Sequence, residues 1–193
     1  MKSAVKPRDE SAEADAEGFA HNEPGRRAIL QSLFGALACF GLAGCRPSEL
    51  PRSAGHPLVG GPAPSFQRTA VSDREVGIPG SDRTRVTVVD FWASWCEACQ
   101  STMPVLDSLW RSKRRDGVMV IGVSVDDSEA VAASAARQLG ASFPIVADPG
   151  LASAYGVARI PLTFVVDRKG TVRWVGRDPG SIEQAALYVL YEG

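Results

Sequence analysis

The stretch VDFWASWCEAC, residues 89–99, joins a β-branched and aromatic run to two cysteines separated by two residues. Arg85 to Trp92 (RVTVVDFW) has the composition of a buried strand. From Cys96 to Arg115 the apolar residues Met103, Leu106, Leu109 and Trp110 recur at helical spacing, and the run ends in a basic turn. Cys96 thus opens a helix directly after a strand, where unpaired backbone N–H groups and the positive helix end favour a thiolate. The thiolate is the species that attacks disulfides. Two intervening residues put Cys99 on the next turn, near enough to bridge Cys96 and release a mixed disulfide, so the pair reads as a redox dithiol. A zinc half-site would need a second pair of ligands. A purely structural disulfide closing so small a loop would stabilise little.

Toward the C-terminus, Val118 to Val125 (VMVIGVSV) is a continuous apolar run, as expected of a central strand covered on both faces. Ser128 to Leu139 reads as an alanine-rich helix, opened by an N-cap at Asp127 or Ser128 and closed by Gly140. Phe143 to Ala147 reads as a short strand, Leu151 to Tyr155 as a helical turn, and Leu162 to Val166 as another strand. A turn at Asp167 to Gly170 leads into Thr171 to Val175 as a hairpin, and Ser181 to Tyr191 closes the chain as a helix. This order predicts an α/β fold with a mixed central β-sheet flanked by helices. Pro104 is expected to kink the helix that follows the cysteines, because it removes one intrahelical hydrogen bond.

Toward the N-terminus, residues 1–25 are polar, acidic in their middle and without apolar periodicity, which predicts disorder. Arg26 and Arg27 then precede AILQSLFGALACFGLAG (residues 28–44), an apolar run that ends in small residues before Cys45. That is the pattern of a signal peptide, and the run is shorter than the roughly 20 residues a membrane-spanning helix needs. Leu42-Ala43-Gly44-Cys45 resembles the lipobox of bacterial lipoproteins, which implies lipidation of Cys45 and an anchor in the membrane. Gly25 to Gln31 also resembles a twin-arginine export signal, with ordinary secretion as the alternative. Arg46 is not the aspartate associated with inner-membrane retention. The expected organisation is a leader over 1–44, a flexible tether over 45–65 rich in Pro, Gly and Ser, and a folded domain over 66–193. The folded domain is expected to face the periplasm or the cell exterior.

The composition agrees with one globular domain plus extensions. Of the 193 residues, 45% are hydrophobic and 22% charged, with a formal net charge of −1. The balanced signs remove the electrostatic case for a nucleic-acid partner. His21 lies in the leader and His56 in the expected tether, so residues 66–193 hold no histidine. Histidine metal sites and Ser-His or Cys-His catalysis are thereby excluded from that segment. No metal and no cofactor are expected. Cys39 leaves with the leader and Cys45 is the lipidation site, so Cys96 and Cys99 remain as the working pair.

VDFWASWCEAC with Pro104 in the following helix resembles the thioredoxin active-site segment, and Ile160-Pro161 before a strand matches that superfamily's cis-proline position. Residues 58–66 (LVGGPAPSF), 122–127 (GVSVDD) and 164–170 (FVVDRKG) are similar to the envelope-facing branch typified by TlpA, ResA and CcmG. The resemblance covers about residues 58–193 and implies a thioredoxin-like fold. It implies Cys96 as the exposed attacking thiol, Cys99 as the buried resolving thiol, and Asp90 as a buried acid that exchanges a proton with Cys99. It further implies that Ile160, turned by Pro161, hydrogen-bonds an extended substrate, with Trp92 and Trp95 packed around the dithiol and Trp95 on the substrate side. Ala98 stands where thioredoxin has proline, and Thr102 where ResA-like members often have a glutamate. Glu97 places a negative charge beside the thiols, which opposes thiolate formation and predicts a reductant.

The function this implies is thiol:disulfide oxidoreduction on exported proteins, with reduction of apocytochrome c cysteines or general disulfide reduction as the task, and an upstream membrane electron donor. Three other classes are weaker. A thiol peroxidase of the same fold would carry threonine where Ala93 stands. A copper-delivery module would space its cysteines by three residues and add a later histidine. An adaptor lipoprotein without chemistry would not need the dithiol.

Overall fold

The structure, a computed structural model, describes residues 47–192. The leader expected over 1–44, the lipidation site Cys45 and Arg46 lie outside the described residues. A small antiparallel hairpin, β1 (Phe66–Thr69) and β2 (Glu75–Ile78), precedes the central sheet. The sheet and its helices follow as β3 (Val86–Trp92), a 3-10 turn (Glu97–Ser101), α1 (Met103–Lys113), β4 (Val118–Ser124) and α2 (Glu129–Gln138). After these come β5 (Ile145–Ala147), α3 (Leu151–Ala154), β6 (Leu162–Asp167), β7 (Val172–Gly176) and α4 (Pro179–Glu192). The strand order is β5-β4-β3-β6-β7, with β3, β4 and β5 parallel, β6 antiparallel to β3, and β7 antiparallel to β6. The chain therefore adopts the α/β fold with a mixed central sheet that its order of elements predicted, in the thioredoxin-like arrangement that the resemblance implied.

Every residue of β3 is buried, because this strand lies at the centre of the sheet with both faces covered. Alternation sorts its side chains. Val86, Val88 and Trp92 face a core built with α1, α2 and α4 that also contains Cys96 and Cys99. Val89 and Phe91 face the opposite core, shared with the β1–β2 hairpin, Leu151 and Tyr155. Burying side chains of this size contributes about 1.5–3 kcal/mol each, so the strand that leads to the cysteines is firmly held.

The structure corrects four expectations. The helix read from Cys96 to Arg115 is split: a 3-10 turn ends at Ser101, and α1 begins only at Met103. Pro104 sits in the first turn of α1, where its missing N–H costs no intrahelical bond, so it starts a helix instead of kinking one.

The tether expected over 45–65 is largely packed. The Ala54 N–H donates to the Val175 carbonyl (2.7 Å), Gly60 N–H to Val172 (2.8 Å) and Ala63 N–H to Gly170 (2.8 Å), so the segment lines β7 and the hairpin before it. The physical reason is that β7 is an edge strand whose outer polar groups need partners. With it His56 enters the folded unit, its ring edge-on to Phe164 at 5.1 Å. Phe164 belongs to the core on the far side of the sheet from Cys96 and Cys99, so this histidine forms no Cys-His pair. Finally, the β1–β2 hairpin was not anticipated, since four-residue strands leave too short an alternation to recognise.

Candidate active site

Three chain segments meet at one edge of the sheet because of the register. Trp92 lies opposite Ser124 in the parallel β3–β4 pair, and Phe91 opposite Leu162 in the antiparallel β3–β6 pair. The end of β3, the end of β4 and the start of β6 therefore coincide. The end of β3 supplies residues 93–99, the end of β4 Val125 and Asp126, and the approach to β6 Ile160 and Pro161. In open α/β sheets this carboxyl edge of the parallel strands is where ligands bind.

Cys96 and Cys99 form a disulfide with their Cα atoms 5.3 Å apart. Cys96 is 7% exposed and Cys99 fully buried, so only Cys96 can meet another protein's sulfur. The Cys96 Sγ also accepts the backbone N–H of Cys99 at 3.2 Å, a donor aimed at the atom that would carry negative charge once the pair is reduced. Thr102 is buried and donates its hydroxyl to the Cys99 carbonyl at 2.8 Å, fixing the turn from inside. Glu97 is exposed.

Asp90 is fully buried two residues before Trp92, on the sheet face that carries the dithiol core. Its Oδ1 accepts the Thr163 hydroxyl at 2.6 Å, while Oδ2 has no protein partner. Burial pushes its pKa up to about 7, and the Thr163 hydrogen bond offsets only part of that. The group can therefore hold or release a proton near neutral pH. Gly122 lies opposite Asp90 in β4, and a Cβ there would come within 2.7 Å of Ile145 Cδ1 and 3.1 Å of Trp92 Nε1. Glycine at that position makes room for the Trp92 ring beneath the dithiol.

Trp95 is 70% exposed, unusual for so large an apolar side chain. It lines an open groove of about 480 Å³ together with Val125, Ala152, Val157, Ala158 and Ile160, with Asp148 and Arg159 contributing charge. The Ile160–Pro161 peptide is cis. A second cis bond, Ile78–Pro79, lies at the end of β2 away from this edge.

Sequence reasoning missed Asp126 as a positioning residue. Its carboxylate accepts the Ser94 N–H at 3.0 and 3.2 Å, the Ser94 hydroxyl at 2.7 Å and the Ser124 hydroxyl at 2.7 Å. One side chain thus pins the turn before Trp95 and Cys96 to the end of β4. The signal available in the sequence was only an aspartate beyond a strand; the separation of 32 positions from Ser94 hid the contact. Asp126→Ala is expected to cost about 2 kcal/mol through lost charge-assisted hydrogen bonds, lowering the unfolding midpoint by roughly 4–8 °C. Asp126→Asn should lose much less, and equal midpoints for all three proteins would remove the clamp from the account.

Comparison with known proteins agrees with this geometry. The AhpC/TSA family model matches residues 59–175. The thiol-disulfide oxidoreductase ResA of Geobacillus thermodenitrificans is 32% identical over 117 residues, 60% of this chain and 67% of that protein. The thiol:disulfide interchange protein DsbE of Xylella fastidiosa is 36% identical over 121 residues, 61% of this chain and 60% of that protein. A crystal structure from Chlorobium tepidum, assigned as a DsbE thiol:disulfide interchange protein, superposes with a TM-score of 0.60 at 31% identity, covering 68% of this chain and 97% of that one. With the Cys96–Cys99 pair in place at the sheet edge, this chain belongs to the AhpC/TSA family of the thioredoxin superfamily and is a thiol-disulfide oxidoreductase of the ResA and DsbE type.

Proposed function

We propose that the chain is a lipid-anchored, envelope-facing reductase of disulfides in exported proteins, including the cysteine pair of apocytochrome c before haem attachment. The observation that carries this reading is the dithiol beside an open apolar groove with Trp95 exposed on it, which suits an extended polypeptide better than a small molecule. Resemblance to the ResA and DsbE type supports the task, and the charged-then-apolar segment ending at Cys45 supports the anchor.

In the reduced enzyme the Cys96 thiolate attacks one sulfur of the substrate disulfide, forming a mixed disulfide and expelling one substrate thiolate. Asp90 takes the proton of Cys99, and the Cys99 sulfur then attacks Cys96 Sγ. The second substrate thiol leaves and the Cys96–Cys99 disulfide forms. Two electrons have passed to the substrate, and a membrane dithiol donor returns them. Ile160 beside Pro161 offers backbone groups to the substrate strand, and Trp95 covers the mixed disulfide. The exposed Glu97 carboxylate destabilises a neighbouring thiolate, which favours giving up electrons over taking them.

Cys99→Ser stops the cycle at the mixed disulfide. Expressed in cells, it is expected to accumulate covalent complexes with exported cysteine-pair proteins, identified by mass spectrometry after purification. Recovery of no covalent partner, or of cytosolic proteins alone, would refute the reading. Cys45→Ser should move the chain from the membrane fraction to the soluble one, and unchanged fractionation would remove the lipid anchor.

A further inference from the structure

The end of the sheet away from the dithiol is basic. Val86 lies opposite both Val118 and Asp167, so the loop before β3, the turn before β4 and the β6–β7 hairpin all emerge at that end. They carry six exposed cations: Arg83, Arg85, Arg114, Arg115, Arg168 and Lys169. Lys113 there is paired with Asp116 at 3.5 Å, and Arg173 with Glu192 at 2.6 Å and Asp167 at 3.6 Å. With Asp82 included, eight cations stand against four carboxylates, whereas residues 45–193 as a whole hold 16 of each sign. The balancing negative charge lies elsewhere: at the dithiol end Glu97, Asp126, Asp127 and Asp148 outnumber the cations Arg159 and Arg177. The seven residues of β3 separate the two ends by roughly 23 Å. The domain is electrically neutral but polarised along its strands.

We infer that this basic pole rests on an anionic phospholipid surface and so holds Cys96 away from the bilayer, toward exported substrates. The inference rests on the lipid anchor at Cys45 proposed above. The Glu49 carbonyl accepts from the Gln184 side-chain amide at 3.2 Å and the Arg52 carbonyl from the Trp174 indole N–H at 3.1 Å, so the chain joins the domain on α4 and β7, level with the middle of the strands. The four residues from Cys45 to Glu49 span at most about 14 Å when extended. An anchored domain is then never farther from the headgroups than its own width, and the sign of its charge decides which end meets them. Anionic lipid attracts the six exposed cations and repels the carboxylates around the dithiol. An acidic protein could satisfy the same charges, but only the bilayer is held within reach by the leash.

Lys113 and Lys169 are the two lysines between residues 45 and 193, and both lie in the pole, so amine acylation reports on it directly. The full chain isolated from membranes is mixed with vesicles of phosphatidylcholine alone or with one-third phosphatidylglycerol. Flotation and the rate of Lys169 acylation by an N-hydroxysuccinimide ester, read by mass spectrometry, are measured together. The expected result is acylation slowed several-fold on the anionic vesicles and not on the neutral ones, with the difference abolished in molar salt. The triple variant Arg114→Glu, Arg115→Glu and Arg168→Glu should lose the slowing and keep its insulin-reducing activity in solution. Flotation with both vesicles but equal acylation on them overturns the docking and leaves the anchor standing. Flotation with anionic vesicles alone supports the docking and rejects the anchor, and flotation with neither rejects both.

Discussion

Cys96→Ser lowers kcat/KM for reduction of insulin disulfides by at least ~10³-fold, into the uncatalysed background, because it removes the nucleophile of the first step. Burial assigns the two sulfurs different fates: Cys96 is 7% exposed and Cys99 not at all. Cys99→Ser should therefore keep the first half-reaction. It is expected to release one substrate thiol per enzyme at a near-normal rate and then stall as a mixed disulfide, visible by mass after alkylation. Both variants lose turnover, but only Cys99→Ser consumes one equivalent of substrate. If Cys96→Ser retained more than a tenth of the activity, or if Cys99→Ser gave no covalent adduct, the division of roles between the two sulfurs would be wrong.

Asp90→Asn changes both stability and its dependence on pH. Burial raises the Asp90 pKa in the folded disulfide form from 3.8 to about 7. Between those values the folded protein holds a proton that the unfolded chain has released, so the folded state binds more protons than the unfolded one. Stability therefore falls as pH rises through this window and levels off above about pH 7. At 1.36 kcal/mol per pH unit the full loss approaches about 4 kcal/mol, an upper figure because water reaching Oδ2 would lessen it. Asparagine can still accept the Thr163 hydroxyl hydrogen bond and never ionises. Urea unfolding of the oxidised proteins should show Asp90→Asn more stable than the parent by about 2–4 kcal/mol at pH 8 and nearly equal at pH 4. Under the mechanism proposed above, the same substitution should also slow resolution of the mixed disulfide near neutral pH, since it removes the carboxylate assigned to take the Cys99 proton. Parallel stability curves for the two proteins across this range would refute the ionisation of Asp90.

Much of the fold was legible because its signals are local. The continuous apolar runs that became β3 and β4 are buried on both faces, and Met103, Leu106, Leu109 and Trp110 became the inner face of α1. Ser128 caps α2 by accepting the Val131 N–H, as its position before the alanine-rich run suggested. The elements misread are those whose structure depends on a distant partner. Residues 52–63 look like a linker by composition and are ordered by the polar edge of β7, more than a hundred positions away. Pro104 looked like a kink because the turn that ends before it, closed by Thr102 on the Cys99 carbonyl, cannot be seen in a helical periodicity.

The sequence by itself determined that a thiol pair two residues apart follows a buried strand, and with that the kind of fold and the sulfur chemistry, because adjacent residues carry both. Only the tertiary structure decided what surrounds the pair. The parallel register of β3 with β4 brings Asp126 to Ser94, and the antiparallel register with β6 brings Ile160 and Pro161 to the same edge and Thr163 to Asp90. Those registers also gather cations from three separate turns at the opposite end. Strand pairing joins residues by position across the sheet instead of along the chain, and no reading of neighbours in sequence contains that distance.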